Sequence, residues 1–427
     1  MDPQGRPRPR TPQEALEFFS RLSPSTIRLG LDRVRSALER LGRPDRAYRS
    51  LQVAGTNGKG STCAFAAQIL QRSGYRVGLY TSPHLVRVTE RIRVDGEEVS
   101  PALFGQRILE VIQRLPEVFE DPPGLTYFEV GTLVALWHFA QAGVELAVLE
   151  TGLGGRLDAT TAASAQVTAI TSVSLDHQSY LGDTLGQIAA EKAGILRPGT
   201  PVVVSRQQPT ARKVIEAAAQ AGSSPLMSEG QDFRLESGVY TGPGMVRLEG
   251  LTLSLAGPHQ TSNAAVAVTA ARLLGGERVT ASAVRTGLAH TAWPGRFEQL
   301  QEHPAVIVDG AHNPEGAEIL RAALAERFGA RPVHLVFGVL ADKDHSAIRA
   351  TLFPGCASIH LCPVPSPRSL DPQDSRPQAH SACSRVSVHP SVGEALEAAL
   401  EAAAPGDVVV CAGSLFLVGA ARSHFRK

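Results

Sequence analysis

Short apolar runs alternate with Ala- and Leu-rich stretches along most of the chain. A short, continuous apolar run is typical of a strand buried on both faces, and helices between such strands indicate a parallel sheet covered on both sides. Residues 231–256 differ, because apolar and polar positions alternate there between glycines, which predicts antiparallel hairpins. The predicted buried strands of this first part lie at 51–54, 76–80, 145–149, 167–173 and 201–205.

A second α/β series begins after Trp293-Pro294-Gly295-Arg296. Because Pro and Gly interrupt both helices and strands, this stretch predicts a domain boundary. The series contains predicted strands at 305–308, 332–337 and 407–410, and predicted helices from about Glu315 to Phe328 and from about Ser346.

The chain is therefore predicted to consist of a tail and two domains. The N-terminus is rich in Pro and Arg, and we expect residues 1–11 to be disordered. Residues 12–293 are predicted to form a mostly parallel α/β domain, and residues 294–427 a smaller, Rossmann-like α/β domain. Residues 361–384, rich in Pro, Ser, Gln and Arg, are predicted to be a long exposed loop in which Arg368 is a candidate surface contact.

Composition excludes several classes of protein. Lys plus Arg is 42 and Asp plus Glu is 41, so bulk charge does not favour a nucleic-acid partner. Five scattered cysteines are too few for a disulfide framework or a Cys-based zinc site, and indicate reduced thiols. The sequence has neither an apolar signal core nor an apolar run of about 18 residues. We expect a cytoplasmic protein without a membrane partner, and take a monomer as the default.

The strongest single motif, residues 53–62, joins a predicted strand to a predicted helix through Gly55-Thr56-Asn57-Gly58-Lys59-Gly60-Ser61. Glycines allow backbone N–H groups to approach phosphate oxygens, and the helix N-terminus adds a positive dipole end. Lys59 can neutralise phosphate charge, and Ser61 or Thr62 can ligate Mg²⁺. The match to G-x-x-x-x-G-K-[ST] is imperfect because Gly60 intervenes, yet the strand-turn-helix context favours a P-loop-type phosphate site over an ordinary glycine turn. A dinucleotide site is disfavoured, since no G-x-G-x-x-G follows the strand.

Polar residues follow three other predicted strands. Glu150 ends one strand, where the carboxyl edge of a parallel sheet faces the ligand crevice, and a carboxylate is a suitable ligand for Mg²⁺. Ser82 and His177 follow two further strands, and Lys192 lies near the end of a helix. Taken singly, His177 is more often a loop histidine and Lys192 is usually a solvated helix C-terminal cation. Glu150 alone is commonly a solvated carboxylate, and Ser82 could simply cap a turn.

Taken in order, the motifs resemble the folylpolyglutamate synthase/dihydrofolate synthase family of the Mur ligase superfamily. The resemblance runs from about residue 12 to the end, and the ordered set is far more specific than any one motif. These motifs are GTNGKGS (55–61), TSPHL (81–85), ERIRV (90–94), YFE (127–129), ETGLGGRLDAT (150–160), LDH (175–177), EKAGI (191–195), HQTSNA (259–264), WPGRFE (293–298) and DGAHNP (309–314).

The resemblance implies an ATP-dependent ligase that adds L-glutamate to dihydropteroate or to a reduced folate such as tetrahydrofolate. A free carboxylate is a poor electrophile, so the family first forms an acyl phosphate and ADP, and the glutamate amine then displaces phosphate. ATP is the implied co-substrate, and two Mg²⁺ ions are the implied cofactors. Whether one or both pterin substrates are used, and how long a polyglutamate product grows, are left open.

The resemblance also assigns residue roles. It gives Lys59, His177 and Lys192 catalytic roles, and Lys192 matches the family lysine that becomes carbamylated. The implied metal ligands are Ser61, Ser82, Glu150 and His177. The implied ATP-binding residues are Gly55, Thr56, Asn57, Gly58, Lys59, Gly60 and Ser61, with Asn263, Arg296, Asp309 and His312.

Three segments are candidates for the pterin substrate. An aromatic pair can stack on the pterin or benzoyl ring, a carboxylate can accept from its amino groups, and an arginine can hold a carboxylate bidentately. The alternative for Tyr127 and Phe128 is an ordinary place in the core. The candidates are Gly30, Leu31, Asp32, Arg33, Tyr127, Phe128, Glu129, Arg156, Leu157 and Asp158.

The sequence departs from the family at Thr161, where the family usually has Asn, which puts any contact through that amide in doubt. Two other functions compete with the main hypothesis. A Mur-type ligase for another carboxylate, such as a muramyl-peptide or cyanophycin-type substrate, is disfavoured by TSPHL, YFE and HQ-x-x-N. A P-loop switch or binding module would leave Glu150, His177 and Lys192 without a purpose, and no guanine-reading motif is recognisable.

Overall fold

The computed structural model describes residues 8–23, 26–119 and 124–425. Residues 1–7 of the predicted disordered tail lie outside the described residues, and Thr11, at its end, caps the first helix through its side chain. The contacts divide the chain into two compact units. The first contains the described residues up to His84, Val88–Leu253 and Ser262–Thr291; the second contains Leu85–Arg87, Ser254–Thr261 and the residues from Ala292 onwards.

The first unit is built on an eight-stranded sheet in the order β4-β3-β2-β5-β1-β6-β7-β8. All neighbouring pairs from β2 to β8 are parallel, while β3 and β4 extend one edge antiparallel. The strands are β1 Arg49–Ala54, β2 Val77–Tyr80, β3 Ile92–Val94, β4 Glu97–Glu98, β5 Leu146–Glu150, β6 Val167–Ile170, β7 Val202–Val204 and β8 Leu226–Ser228.

A small antiparallel sheet follows, formed by β9 Arg234–Glu236, β10 Val239–Gly242 and β11 Met245–Leu248. It lies within the segment 231–256 whose alternation predicts hairpins. The Tyr240 side chain of its middle strand is fully buried, and its hydroxyl lies 2.8 Å from Thr269 Oγ1, which ties this sheet to the helix that carries Thr269.

Helices cover the large sheet. The central one, Tyr127–Gln141, is buried along most of its length, as expected for a helix that is apolar all round. The helices that begin in this part of the chain are α1 Pro12–Arg21, α2 Asp32–Arg40, α3 Lys59–Arg72, α4 Pro101–Arg114, α5 Tyr127–Gln141, α6 Gln178–Leu181, α7 Leu185–Ala193, α8 Pro209–Ala221, α9 His259–Gly275 and α10 Ala281–His290. Over the part of the chain that the structure describes, no helix combines the length and apolarity needed to span a bilayer.

The second unit contains a six-stranded sheet in the order β12-β13-β17-β14-β15-β16, parallel except for β12. Its strands are β12 Glu298–Gln301, β13 Ala305–Val308, β14 Val333–Phe337, β15 Cys356–Leu361, β16 Val386–Val388 and β17 Val408–Ala412, and its helices are α11 Pro314–Phe328, α12 His345–Leu352, α13 Arg376–Ala382, α14 Val392–Ala402 and α15 Leu415–His424. The predicted fold class, a P-loop-type mostly parallel sheet followed by a smaller Rossmann-like α/β unit, is confirmed.

The prediction of a long exposed loop at 361–384 is wrong. Leu361 ends β15, Pro372–Ser375 form a short 3₁₀ helix, and α13 follows directly. Ala379 and Cys383 are buried in the core on one face of the second sheet. The segment folds because these small apolar side chains have a surface to cover, which its Pro- and Ser-rich composition does not reveal.

Strands β14, β15 and β16 share a row of hydrogen-bonded polar side chains, of which His334, Ser358 and His360 are buried. Asp407 Oδ2 lies 3.1 Å from His334 Nε2, and His334 Nδ1 lies 2.8 Å from Ser358 Oγ. The chain continues from Ser358 Oγ to His360 Nε2 at 2.8 Å. It ends at Ser387 Oγ, which lies 3.1 Å from His360 Nδ1 and 2.7 Å from His389 Nε2. Because each buried polar atom meets another, the sheet tolerates three histidines next to its core.

This row of hydrogen-bonded side chains makes the stability of the protein sensitive to acid. Burial, reinforced by the neighbouring His389 and His334, lowers the pKa of His360 to about 4. At a pH between the ordinary histidine pKa and about 4, His360 is protonated in the unfolded protein but not in the folded protein. The free energy of unfolding therefore falls as the pH falls through this range. We expect His360→Gln to lose stability less steeply than the parent between about pH 6.5 and 4 in urea titrations. The exposed His380→Gln variant is the control, and parallel slopes for the parent and His360→Gln would contradict this assignment.

Candidate active site

The turn between β1 and α3 comes unusually close to its neighbours. Gly55 and Gly58 have φ of +149° and +88°. A Cβ atom on Gly55 would lie 1.8 Å from Thr171 Oγ1, and one on Gly58 would lie 2.2 Å from Asn263 Oδ1. Only glycine allows this approach, and it places Asn263, a predicted ATP-binding residue, directly against the phosphate loop.

Two lysines converge on the same turn. Lys59, the first residue of α3, donates from Nζ to the carbonyl oxygens of Gly55 and Thr56, both at 3.1 Å. Lys192, near the end of α7, donates from Nζ to the Gly55 oxygen at 2.7 Å and is 3% exposed. Burial first, and then the charge of Lys59, lower the pKa of Lys192 to about 7. The result is a cationic cradle suited to phosphate oxygens.

The loop after β6 fixes the other side of the turn. Thr56 Oγ1 donates to the Ser174 oxygen and accepts from the Ser174 N–H, both at 3.1 Å. The Thr56 side chain therefore holds the loop rather than pointing to a ligand. Of the other predicted loop residues, Gly60 and Ser61 are buried in the first turn of α3, and Asn57 is half-buried.

Glu150 and Ser82 are brought together at the carboxyl edge of the sheet. Glu150 ends β5, is 5% exposed, and accepts from the Ser82 N–H at 3.1 Å. Strand β5 lies between β2 and β1, so the predicted metal ligands and the phosphate loop end at neighbouring strands. The Glu150 charge also contributes, after burial, to raising the pKa of the Cys63 thiol on α3.

His177 lies one strand further along the edge, after β6. It has a φ of +51°, immediately precedes the short helix α6, and is about a third exposed. Its backbone N–H donates to Asp176 Oδ1 at 2.8 Å, and its ring Nε2 lies 3.9 Å from Asp176 Oδ2.

The donor set suits a nucleotide-bound magnesium ion. Among the residues that the structure describes, no three His, Cys, Asp or Glu side chains form a metal-binding group. Mg²⁺ commonly uses one or two carboxylates together with phosphate oxygens and water, which matches a buried Glu150 beside serine and the phosphate loop.

Asp158 has a role in the backbone turn after β5. Its carboxylate accepts from the N–H groups of Gly152 and Leu153, both at 2.9 Å, and from the Thr160 N–H and hydroxyl at 3.0 and 2.6 Å. Burial raises its pKa in spite of these bonds. With four donors already bound, Asp158 shapes the loop that leads away from Glu150.

The neighbours of Asp158 differ in exposure. Arg156 is exposed and pairs with Glu191 at 2.7 Å, while Leu157 is half-buried. Thr161 Oγ1 donates to the Gly155 oxygen and accepts from Gln52 Nε2, both at 2.7 Å. The hydroxyl therefore makes local contacts of its own at the position where the family usually has Asn.

Of the two neighbouring aromatic residues, Tyr127 lies in the core and Phe128 lies beside the loop that follows β5. The Tyr127 ring stacks on Phe19, with centroids 4.4 Å apart, and the Arg91 guanidinium lies 5.3 Å from the Tyr127 centroid. Tyr127 is 7% exposed and belongs to the core, which is the alternative that the sequence leaves open. Phe128 is half-buried and closely approaches Gly152, so it is the member of the pair placed at the loop.

The remaining pterin candidates lie around the start of α2. Leu31 is buried, Asp32 is exposed in the first helical turn, and Gly30 has a φ of +137°. Arg33 donates to Glu129 Oε1 at 2.8 Å. Glu129 Oε2 also accepts from the Thr126 N–H at 2.7 Å in a capping box, so this carboxylate is held by the protein.

In the second unit, Arg296, Asp309 and His312 form one cluster. A Cβ atom on Gly310 would lie 2.1 Å from Arg296 Nη1, and His312 Nδ1 lies 2.7 Å from the Gly310 oxygen. Asp309 accepts from the N–H groups of Phe297 and Ala311 at 2.7 and 2.8 Å. Burial raises the pKa of Asp309, and the Arg296 charge opposes this shift.

Three motif residues have no role assigned by the resemblance. His259, in the second unit, has its pKa lowered to about 4 by burial and by Arg296. In the first unit, Arg91 Nε donates to His84 Nδ1 at 2.9 Å. Their presence in HQTSNA, ERIRV and TSPHL is the only sequence signal that points to them.

A glycine-cradled phosphate loop and a buried strand-end glutamate, followed by a second α/β unit, define an ATP-dependent ligase of the Mur type. The chain matches the Mur ligase middle domain over residues 53–271 and the Mur ligase glutamate ligase domain over residues 295–415. It is 37% identical over 418 residues to dihydrofolate synthase/folylpolyglutamate synthase of Escherichia coli, and the match covers 96% of each chain. The chain belongs to the folylpolyglutamate synthase/dihydrofolate synthase family, which confirms the resemblance of its motifs.

Solved structures agree with this membership. E. coli FolC in complex with DHPP and ADP superposes with a TM-score of 0.89 at 35% identity, covering 98% of both chains. The bifunctional synthase from Yersinia pestis, complexed with AMPPNP and Mn ion, gives a TM-score of 0.87 at 32% identity, covering 99% of this chain and 100% of that one. A probable bifunctional folylpolyglutamate synthase/dihydropteroate synthase from Haloferax volcanii is 36% identical over 97% of this chain, which spans only 50% of that relative.

The glycine cradle leads to a prediction for nucleotide binding. In Gly58→Ala, the added methyl group would displace the Asn263 amide from the loop, and we expect ATP affinity to fall at least about tenfold in calorimetric titrations. Gly42→Ala is a matched control, because Gly42 has a φ of +75° but nothing within 4 Å of an added Cβ. Both variants carry a left-handed alanine that costs about 1 kcal/mol, so the control has the backbone cost without the close contact. Equal ATP affinities in the two variants would show that the close approach to Asn263 is unimportant.

Proposed function

We propose that this protein is an ATP-dependent ligase that adds L-glutamate to dihydropteroate, to tetrahydrofolate, or to both. The observation that carries the proposal is the convergence of Lys59 and Lys192 on the Gly55 oxygen, next to a strand that ends in a buried Glu150. Family membership supplies the substrates, since the matched relatives are named for both synthase activities.

In the proposed reaction, the pterin-linked carboxylate attacks the γ-phosphorus of ATP, forming an acyl phosphate and releasing ADP. The glutamate amine then attacks the acyl carbon, phosphate leaves with the bonding electrons, and the amine loses a proton. Lys59 and the N–H groups of the glycine turn balance the charge on the phosphoryl oxygens during transfer. Glu150, Ser82 and Ser61 would hold one Mg²⁺ and His177 a second, and such ions neutralise phosphate charge when bound.

Lys192 is suited to carbamylation. With its pKa lowered to about 7, a large fraction of the buried amine is neutral near neutral pH. A neutral amine can attack CO₂, forming the N–C bond and releasing one proton. The product is an anion beside Lys59, so a repulsive pair becomes an attractive one. We propose that Lys192 acts in this form.

The second unit contributes to nucleotide binding in this proposal, through Arg296, Asp309 and His312. We propose domain bounds of 12–293 and 294–427. We also propose a cytoplasmic monomer that acts on small molecules without a nucleic-acid or membrane partner, a setting that suits five cysteines that are all free.

A substrate-dependence assay tests the proposed function. Purified protein with Mg²⁺, ATP and L-glutamate should release ADP when dihydropteroate or tetrahydrofolate is added, and mass spectrometry should detect a product heavier by one glutamyl group. A muramyl-peptide carboxylate serves as the control acceptor for the other kind of Mur-type ligase. Steady ATP hydrolysis that ignores both pterins would reject the proposal and favour a nucleotide switch.

Lys192 gives a second test. Lys192→Ala removes the buried amine that contacts the Gly55 oxygen, and we expect turnover to fall at least about 100-fold while ATP still binds through the rest of the loop. Lys213→Ala, which removes an exposed lysine on α8, should keep full activity. Full turnover by Lys192→Ala would exclude Lys192 from the mechanism.

A further inference from the structure

A cavity lies at the amino edge of the large sheet, at the opposite end of its strands from the phosphate loop. Its volume is about 570 Å³, which is within the range of small-molecule sites in proteins. Arg49 begins β1 and Leu146 begins β5, and these two strands lead to the phosphate loop and to Glu150 at the other edge. We call it the amino-edge cavity; the lining residues that matter below are Arg46, Tyr48, Arg49, Tyr75, Ser164 and Gln166.

Two arginines of the amino-edge cavity are not paired within the protein. Arg46 ends the 3₁₀ helix Pro44–Arg46, and Arg49 is the first residue of β1. Both side chains are exposed, and within the described part of the chain neither guanidinium contacts a carboxylate or a carbonyl oxygen. Because arginine keeps its charge at every physiological pH, the cavity presents two positive charges that nothing in the protein offsets.

Glu145, the carboxylate among the lining residues, does not offset them. Its Oε2 accepts from the Arg76 N–H at 2.8 Å, and its Oε1 pairs with Arg278 at 3.4 Å. Arg278 is itself fixed over the Tyr75 ring, with its guanidinium carbon 3.8 Å from the ring centroid. The charge of Glu145 is therefore already balanced by Arg278, and the charges of Arg46 and Arg49 remain.

The neutral polar side chains of the cavity also offer donors. Ser164 Oγ accepts from Arg43 at 3.5 Å, and its own O–H has no acceptor among the residues that the structure describes. Gln166 Oε1 accepts from the Ser50 N–H at 2.7 Å, which orients the amide and leaves its NH₂ group without a protein acceptor. Two guanidinium groups, a hydroxyl and an amide with spare donors favour an anionic ligand that has several acceptor oxygens.

Tyr48 and Tyr75 add apolar walls to the cavity. Their hydroxyls are bound within the protein, at 3.3 Å from the Leu136 carbonyl oxygen and 2.6 Å from that of Gly275. The two tyrosines therefore line the cavity with their rings and not with their polar ends. Such surfaces suit a flat, largely apolar ligand body next to the anionic group.

The charge and the donors match a phosphomonoester better than a carboxylate. A phosphomonoester carries close to two negative charges at neutral pH and has three acceptor oxygens. Two arginines and two neutral donors can all be used by that group, whereas one carboxylate has a single charge and two oxygens. A cavity of about 570 Å³ also has room for a heterocycle attached to the phosphate.

We propose that the amino-edge cavity binds a phosphomonoester with a flat heterocyclic body, such as a nucleoside monophosphate, whose phosphate lies between Arg46 and Arg49. Strand β1 has six residues, so at about 3.3 Å per residue the cavity and the phosphate loop are roughly 20 Å apart. The ligand therefore binds at the same time as a nucleotide in the phosphate loop. This inference does not depend on which carboxylate the enzyme activates.

Calorimetric titration tests the site while the phosphate loop is occupied. UMP and AMP are titrated separately into the intact chain saturated with AMPPNP and Mg²⁺. We expect a Kd below about 1 mM for at least one of them, and binding at least about tenfold weaker for the matching nucleoside, which lacks the phosphate. Inorganic phosphate and ribose 5-phosphate, which lack the heterocycle, should also bind at least about tenfold more weakly.

Variants of the two arginines test the contact with the phosphate. Arg46→Met and Arg49→Met should each weaken binding of the monophosphate at least about tenfold, and because both side chains are exposed, neither change should lower the unfolding temperature. Arg212→Met is the matched control, since it removes the charge of an exposed arginine on α8 that does not line the cavity. It should bind the monophosphate as tightly as the parent does.

Several results would overturn the inference. Binding that is lost when AMPPNP is present would place the monophosphate in the phosphate loop, and equal losses in Arg212→Met would mean unspecific attraction by surface charge. Inorganic phosphate that binds as tightly as UMP and AMP would mean that the tyrosine walls hold nothing. A Kd above about 1 mM for both monophosphates, or unchanged affinity in Arg46→Met and Arg49→Met, would also contradict the proposed site.

Discussion

The site depends on a single carbonyl oxygen, that of Gly55, which accepts from the ammonium groups of both Lys59 and Lys192. Two cations held on one oxygen would repel each other, and this repulsion, added to burial, lowers the pKa of Lys192 to about 7, so that much of its amine is neutral. The fold accepts this cost because the turn is fixed by Thr56 and by the close approach of Thr171. Such an arrangement is most stable once negative charge is supplied, either by phosphate oxygens or by a carbamylated lysine.

The order of strands explains why residues distant in sequence meet. Neighbouring strands β2, β5, β1 and β6 run parallel and end at one edge. The residues at the ends of these strands are, in order, Ser82, Glu150, the phosphate loop and His177. They form a row along the edge of the sheet. The sequence predicts that each of these residues follows a buried strand, because an apolar run precedes it, but the order of the strands comes from the structure.

What the sequence could not predict are elements and roles set by partners in space. Strand β15 is not predicted, because Ser358 and His360 interrupt its apolar pattern. These two polar residues are tolerated in the strand because they form hydrogen bonds with side chains on β14 and β16. Asp158 and Glu129 have the residue type expected of ligand-binding carboxylates, but the protein uses both for its own backbone. For Glu129 the signal existed, since Thr126 three residues earlier completes a capping box.

Local pairing, rather than total charge, decides where this nearly neutral chain can bind anions. Several arginines of the first unit are paired with carboxylates, among them Arg33, Arg43, Arg93 and Arg156. Along the carboxyl edge, the described contacts give Lys59 and Lys192 only backbone oxygens and give the Arg91 side chain only a histidine and an aromatic ring. Such neutral partners orient a cation without cancelling its charge. Lys59 and Arg91 therefore keep their charge available for anions, as Lys192 does until it is carbamylated, although the formal net charge is only +1.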